Sequence, residues 1–257
     1  MKYLERIAVR DQEERKNNLL TILDELEIPY EIHDTVRNET PVSNIVVSLN
    51  PSDRRLVIGA HWDSVDGSSG ANDDGSSCSV LIRLCELLRN RSESVDLVFF
   101  DKEEHGCLGS GAYIEETGAE KIRAMVNLDM CGAGQHIVIS GKGNCGNPAF
   151  GRILTEENLA KHGVDVLGWL PNGDDSSFDR AGIPNISVCI LTEGDRDVFR
   201  VLAGKISAGE KLNEDDHRAF GGLDVVKTMH NGANDSIAAV TQDAIDAVYG
   251  FVADGLK

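Results

Sequence analysis

The chain has 257 residues, 41% of them hydrophobic and 26% charged, enough to bury a sizeable core in one large α/β domain or two small ones. Its formal charge of −18 argues against nucleic acid and anionic membrane as partners, since both need clustered Lys and Arg. No apolar run approaches the roughly 18 residues that mark a membrane span.

The six cysteines contain no C-x-x-C pair. The start, Met1-Lys2-Tyr3-Leu4-Glu5-Arg6, lacks the apolar segment of a signal peptide. The expectation is therefore a cytoplasmic protein with reduced thiols.

Asp11, with Glu14 three residues on, is a capping pair for a helix expected over Asp11 to Ile28, striped by Leu19, Leu20, Leu23 and Leu26. Pro29 ends it. Two short strands, Asn44–Leu49 and Arg55–Ala60, flank Asn50-Pro51-Ser52-Asp53, which is hairpin chemistry, so these two strands are expected to pair antiparallel. Cys78, Leu81, Ile82, Cys85 and Leu88 sit at helical spacing and predict a helix from Asp74 to near Arg89.

Val95–Phe100 is a nearly continuous apolar run, as in a strand covered on both faces. A short helix around Ser110–Glu116 and strands at Ala124–Leu128 and His136–Ser140 follow. Next come a helix near Asn147–Lys161, a segment Val164–Leu170, a short helix near Asp175–Ala181 and a strand Asn185–Leu191. Residues 192–222 are polar and without clear periodicity, and are expected to leave the core as an excursion, a lid or a surface loop. Thr241 caps a final helix with Ala244, Ile245, Val248, Phe251 and Val252 on one face. Strands alternating with helices imply a single α/β domain, 1–257, with a mixed, mostly parallel central sheet flanked by helices.

In such sheets functional groups collect beyond the carboxyl ends of strands. His61-Trp62-Asp63 follows Leu56–Ala60, Asp101-Lys102-Glu103-Glu104 follows Val95–Phe100, and Asp129 follows Met125–Leu128. His230 stands between the segment Leu223–Met229 and the last helix, and Asp73 lies in a Gly-bounded acidic turn ahead of a helix. Two His and three carboxylates repeated at equivalent positions form a set suited to zinc, with cobalt or manganese able to share such ligands. The period of two along a strand puts Asp63 on the side of His61, where it can orient the imidazole. Of the adjacent Glu103 and Glu104, one can hold a metal while its neighbour accepts a proton from water.

Several runs closely resemble the co-catalytic zinc aminopeptidases of bacterial leucyl aminopeptidase and aminopeptidase Y type, a family that also contains glutamate carboxypeptidase and glutaminyl cyclase. These runs are Gly59-Ala60-His61-Trp62-Asp63-Ser64, Gly70-Ala71-Asn72-Asp73-Asp74-Gly75-Ser76, Glu103-Glu104-His105-Gly106-Cys107-Leu108-Gly109-Ser110, Asn127-Leu128-Asp129-Met130 and Met229-His230. The resemblance runs from about residue 44 to the C-terminus. It implies a zinc-peptidase fold, of the phosphorylase/hydrolase-like type, and two Zn2+ per chain. Asp73 would bridge them, His61 and Asp129 would complete one site, and Glu104 and His230 the other. Glu103 matches the family's general base and Asp63 the carboxylate behind the first His. The implied substrate is a peptide with a free N-terminus. Glutaminyl cyclase-like acyl transfer, which in this family works with a single zinc, and a non-catalytic binding domain are the alternatives.

Three departures from the family pattern stand out. The loop from His61 to Asp73 is short. Asp174-Asp175-Ser176-Ser177-Phe178 replaces a Ser-Asp-His stretch before Ala181-Gly182-Ile183-Pro184. After His230, Asn234 stands where an Asp is common and Asp235 follows one later, so the partner of His230 is open between them.

Gly141-Lys142-Gly143-Asn144-Cys145-Gly146 has a dinucleotide-like spacing, but Pro148 puts the helix start after the motif, which favours a surface turn. His33, His105, His136, His162 and His217 lack partner carboxylates at ligand spacing, and no G-x-S-x-G supports a serine nucleophile.

Overall fold

Short apolar runs set between amphipathic stretches become, in the computed structural model, strands of one sheet with helices on both faces; residues 1–230 and 234–257 are described. The strands are β1 (Glu31–Arg37), β2 (Thr40–Leu49), β3 (Arg55–His61), β4 (Val95–Phe100), β5 (Ile122–Leu128), β6 (His136–Ile139), β7 (Asp165–Val166) and β8 (Asn185–Leu191). Among the described residues they form an eight-stranded sheet in the order β1-β2-β4-β3-β5-β8-β6-β7. The central β4, β3, β5 and β8 run parallel, while β2 joins β4, β1 joins β2, and β6 joins β8 antiparallel. The sheet is mixed, as expected.

The expected hairpin is not there. β4 lies between β2 and β3, and the true hairpin is β1–β2. Its turn, Asn38-Glu39, has both residues at positive φ (49° and 64°), the two-residue geometry that matches strand twist. β1 escapes a pattern search because it is an edge strand exposed on both faces, so no apolar alternation marks it.

The helices are α1 (Leu4–Ile7), α2 (Gln12–Glu25), α3 (Ser77–Leu88), α4 (Leu108–Thr117), α5 (Glu156–Lys161), α6 (Asp175–Arg180), α7 (Glu193–Ser207), α8 (Glu214–Gly221), α9 (Asp224–Lys227) and α10 (Gln242–Gly255). None is long and apolar enough to cross a membrane. Alternate strand residues separate the two layers. Ile45, Ile58, Leu97 and Val126 enter the large core with α2, α3 and α10, whereas Val46, Val57, Val98 and Phe100 pack with Tyr113 of α4 and Phe178 of α6. Phe100 sits 5.9 Å from Tyr113 and 6.1 Å from Phe178, centroid to centroid. Gly59 on β3 makes room for it, since a Cβ there would lie 2.2 Å from the Phe100 ring.

Residues 192–222 are not a structureless loop. Thr192 caps α7 by accepting the Asp195 amide, and Phe199, Leu202 and Ala203 form a buried i, i+3, i+4 face against β6 and β8. Asn213 and Asp216 form a capping box on α8. The segment 223–229 is likewise not strand-like but carries the single turn α9. The helix near Asn147–Lys161 is broken into a 3-10 turn at Pro148–Phe150 and α5, each with its own cap. A separate 3-10 turn at Lys142–Asn144 lies inside the glycine motif, and among the described residues no α-helix opens there, in agreement with a turn and not a dinucleotide loop.

Candidate metal centre

Because β4, β3 and β5 are adjacent and parallel, their carboxyl ends share one rim of the sheet. His61 is the last residue of β3, Asp101 to Glu104 follow β4, and Asp129 follows β5. The ladder runs on past the strands: the Trp62 amide donates to Phe100 O at 2.8 Å and the Asp129 amide to Val188 O at 3.0 Å. Lys102, Met130 and His230, each beside or within the candidate set, have positive φ of 57°, 57° and 50°, so the chain turns sharply where it delivers these side chains.

Asp73 sits in the turn Ala71–Ser76 that leads into α3, where Asp73 and Asp74 depart from helical geometry with φ of −110° and −131°. Asp235 holds this turn from outside: its carboxylate accepts the Asn72 amide at 2.7 Å, the Asp73 amide at 3.5 Å and Ser68 Oγ at 2.6 Å. Asp235 is thus committed to the Asp73 turn and not to His230. Asn234 uses its amide on Lys227 O at 3.1 Å.

All five expected ligand residues come together, as two groups that share Asp73. In the first, the donor atoms of His61, Asp73 and Asp129 lie within 4.8 Å of one another; in the second, those of Asp73, Glu104 and His230 do. His61 Nε2 is 3.1 Å from Asp73 Oδ1 and 4.0 Å from Asp129 Oδ1. His230 Nε2 is 3.6 Å from Glu104 Oε2, and its backbone amide donates to Asp73 Oδ2 at 2.8 Å.

Asp63 supports His61 through two atoms. Its backbone carbonyl lies 3.1 Å from His61 Nδ1 and its carboxylate 3.5 Å, while that carboxylate also accepts the Glu103 amide at 3.0 Å. Glu103 borders the open cleft beside Asp73, Asp129 and His230, and Cys107 Sγ donates to its Oε1 at 3.6 Å. A further group was not singled out from sequence. Asp74, fully buried, accepts the amides of His61 at 3.3 Å and Met130 at 3.0 Å, tying two rim segments together; the second Asp of the N-D-D-G turn was its only sequence signal.

The charges explain what this arrangement demands. Burial raises Asp74 to about 8, with the charge of Asp73 adding to it. Burial, then Asp73, raises Glu104 to about 8. Burial and the charge of Asp74 push Asp129 well above the carboxylate range, and burial with Asp73 and Asp63 raises Glu103. For His61, burial opposes protonation, but hydrogen bonds to Asp63 and Asp73 overcome it and raise its pKa well above the ordinary value. Asp73 alone in the set is lowered: burial works against this, and the His61 and His230 contacts win. Carboxylates this crowded repel unless a cation sits among them. One Glu104 oxygen is buried with no hydrogen-bond partner. A donor set of two His and three carboxylates, with an idle buried oxygen and uncompensated negative charge, fits divalent zinc.

Beside the cluster opens a cleft. Its far wall is apolar, built from Leu170, Leu191, Phe199 of α7, Phe220 of α8, Val225 and Met229.

A mixed α/β sheet bearing His and carboxylates on the carboxyl rim of its parallel strands is a zinc-peptidase-like architecture. The profile described as Peptidase family M28 matches residues 44–244, and the chain belongs to that family. It is 25% identical over 222 residues to human endoplasmic reticulum metallopeptidase 1, which covers 78% of this chain and 23% of that protein. The zinc aminopeptidase BSAP from Bacillus subtilis superposes with a TM-score of 0.62 at 20% identity, over 85% of this chain and 50% of that one. Glutaminyl cyclase from Porphyromonas gingivalis superposes with a TM-score of 0.69 at 20% identity, over 99% of this chain and 94% of that one. The chain spans about a quarter or less of the length of the curated relatives it matches.

Proposed function

We propose that this chain is a zinc-dependent aminopeptidase that removes the N-terminal residue from peptides. The observation that carries the reading is that two histidine–carboxylate groups share Asp73 beside Glu103 at the mouth of an apolar cleft. In this reading His61, Asp73 and Asp129 hold one zinc ion, and Asp73, Glu104 and His230 hold a second. Zinc in such a site supplies Lewis acidity toward a carbonyl oxygen and toward water.

The remaining work falls to the chain's own groups. Glu103 takes a proton from the attacking water and delivers it to the leaving amine, a role suited to a carboxylate whose pKa burial raises. Asp63 aligns both His61 and the Glu103 backbone through the contacts described above. The carboxylates at the cleft mouth offer acceptors for a free α-amino group, which restricts cleavage to chain ends. The wall of Leu170, Leu191, Phe199, Phe220 and Met229 suits an apolar first side chain. All six cysteines are unpaired, which supports a reducing compartment such as the cytoplasm.

The near full-length fold match to a glutaminyl cyclase favours one second reading, intramolecular acyl transfer by an N-terminal glutamine. Metal content measured alongside a panel of amino-acid anilides and an N-terminal glutaminyl peptide, with and without chelator, separates the two. Two zinc per chain with chelator-sensitive release of anilide supports the aminopeptidase. One zinc with ammonia release from the glutaminyl peptide supports the cyclase, and bound metal without either reaction contradicts both.

A further inference from the structure

Arg15 projects from α2, outside residues 44–244 that define the family match, yet it is fully buried. No carboxylate meets it among the described residues. Its guanidinium instead donates to four backbone carbonyls: Nε to Trp62 O, Nη1 to Ile7 O at 3.2 Å and Ser69 O at 2.9 Å, and Nη2 to Gly70 O at 3.0 Å. One turn earlier on α2, Gln12 Nε2 donates to Ser64 O and Oγ, both at 2.9 Å, and its Oε1 accepts the Ser64 amide at 3.3 Å.

These contacts fall on a particular stretch. Trp62 stands between His61 and Asp63, and Ser69-Gly70 leads into the turn that bears Asp73. A single planar fork therefore grips both ends of the loop joining the two residues that approach at 3.1 Å, and Gln12 grips Ser64 near its start. Gly70 fits the same scheme, since with φ of 54° a Cβ there would lie 2.5 Å from Arg15 Nη1.

We propose that Arg15, with Gln12, is a positioning residue for metal binding: it sets the spacing of His61 and Asp73 from outside the rim that bears them. The inference rests on the metal reading above. A guanidinium suits the task because its donors lie in one rigid plane, which a lysine cannot reproduce. Groups behind metal ligands typically govern affinity by about 10- to 100-fold.

The test compares wild type, Arg15→Lys and Gln12→Ala after removal of metal by chelator. It measures the zinc dissociation constant by competition with a chromophoric chelator, and the melting temperature with and without zinc. Arg15→Lys is expected to weaken zinc binding by about 10- to 100-fold and to shrink the zinc-induced rise in melting temperature. Gln12→Ala should do the same severalfold. A purely structural role would lower both melting temperatures equally and leave zinc affinity unchanged, and that result overturns the proposal. If Arg15→Lys does not fold, Gln12→Ala decides alone, since Gln12 is only half-buried and contacts the same loop, and wild-type affinity in it counts against the proposal. A wild-type protein that binds no zinc would instead overturn the metal reading itself.

Discussion

The two halves of the candidate centre are built differently. In the first, His61 is 2% and Asp129 25% exposed, and His61 and the shared Asp73 are braced by Asp63, Asp74, Asp235 and Arg15. The Glu104–His230 half is looser on one side: Glu104 is 5% exposed but His230 is 59% exposed, and it follows a single helical turn instead of a strand. Pre-organised ligands lose less freedom on binding than exposed ones, so the first half should hold its ion more tightly. Asp73, common to both, couples them.

Asp73→Asn tests that coupling with the largest expected effect. It should lower zinc binding at both positions, seen as loss of both equivalents by elemental analysis after dialysis. Retention of one full equivalent would mean that the halves are independent. The next contrast is His61→Ala against His230→Ala. The first should weaken the tighter equivalent, whereas the second should remove only the weaker one and leave about one zinc per chain, and the reverse pattern would invert the ranking of the halves.

The smallest effect concerns pH. In metal-free protein burial holds Asp74 and Glu104 at about 8, against about 4 in an unfolded chain. Between these values the folded state binds more protons than the unfolded one. Stability is therefore full at the acidic end and falls as pH rises toward 8. The melting temperature of chelator-stripped protein should drop across this window. Saturating zinc should remove the drop, because metal takes the deprotonated carboxylates. A flat metal-free profile would show that the cluster is not charge-frustrated.

The contrast between the halves also separates what the sequence reveals from what it hides. His61 and Asp129 stand at the ends of apolar runs, and an apolar run that stops on a ligand-type residue is visible without coordinates. The parallel order β4-β3-β5 then brings those ends together. His230 was equally visible as a residue type, but the element before it is a helical turn and not a strand-like run. The bracing groups were harder to read. Arg15 and Gln12 act on backbone carbonyls, which leave no pattern in side-chain order. Asp235, by its position one of two candidate partners of His230, instead secures the Asp73 turn. β1 was missed because both its faces meet solvent, and α7 because only three of its residues besides Asp195 are buried, too thin a stripe among charged neighbours. The β2–β3 hairpin failed for a topological reason: a turn-like sequence does not show that a later strand will insert between its flanks.

The central claim is that Glu103 moves the proton at a zinc centre it does not itself hold. Glu103→Gln preserves size and one hydrogen-bonding oxygen while removing the base. The direct measurement is the rate of hydrolysis of an apolar amino-acid anilide by this variant, with zinc content determined on the same sample. The account predicts a loss of about 10²- to 10⁴-fold in kcat with wild-type zinc content. A Glu103→Gln protein that hydrolyses the anilide at the wild-type rate would contradict it.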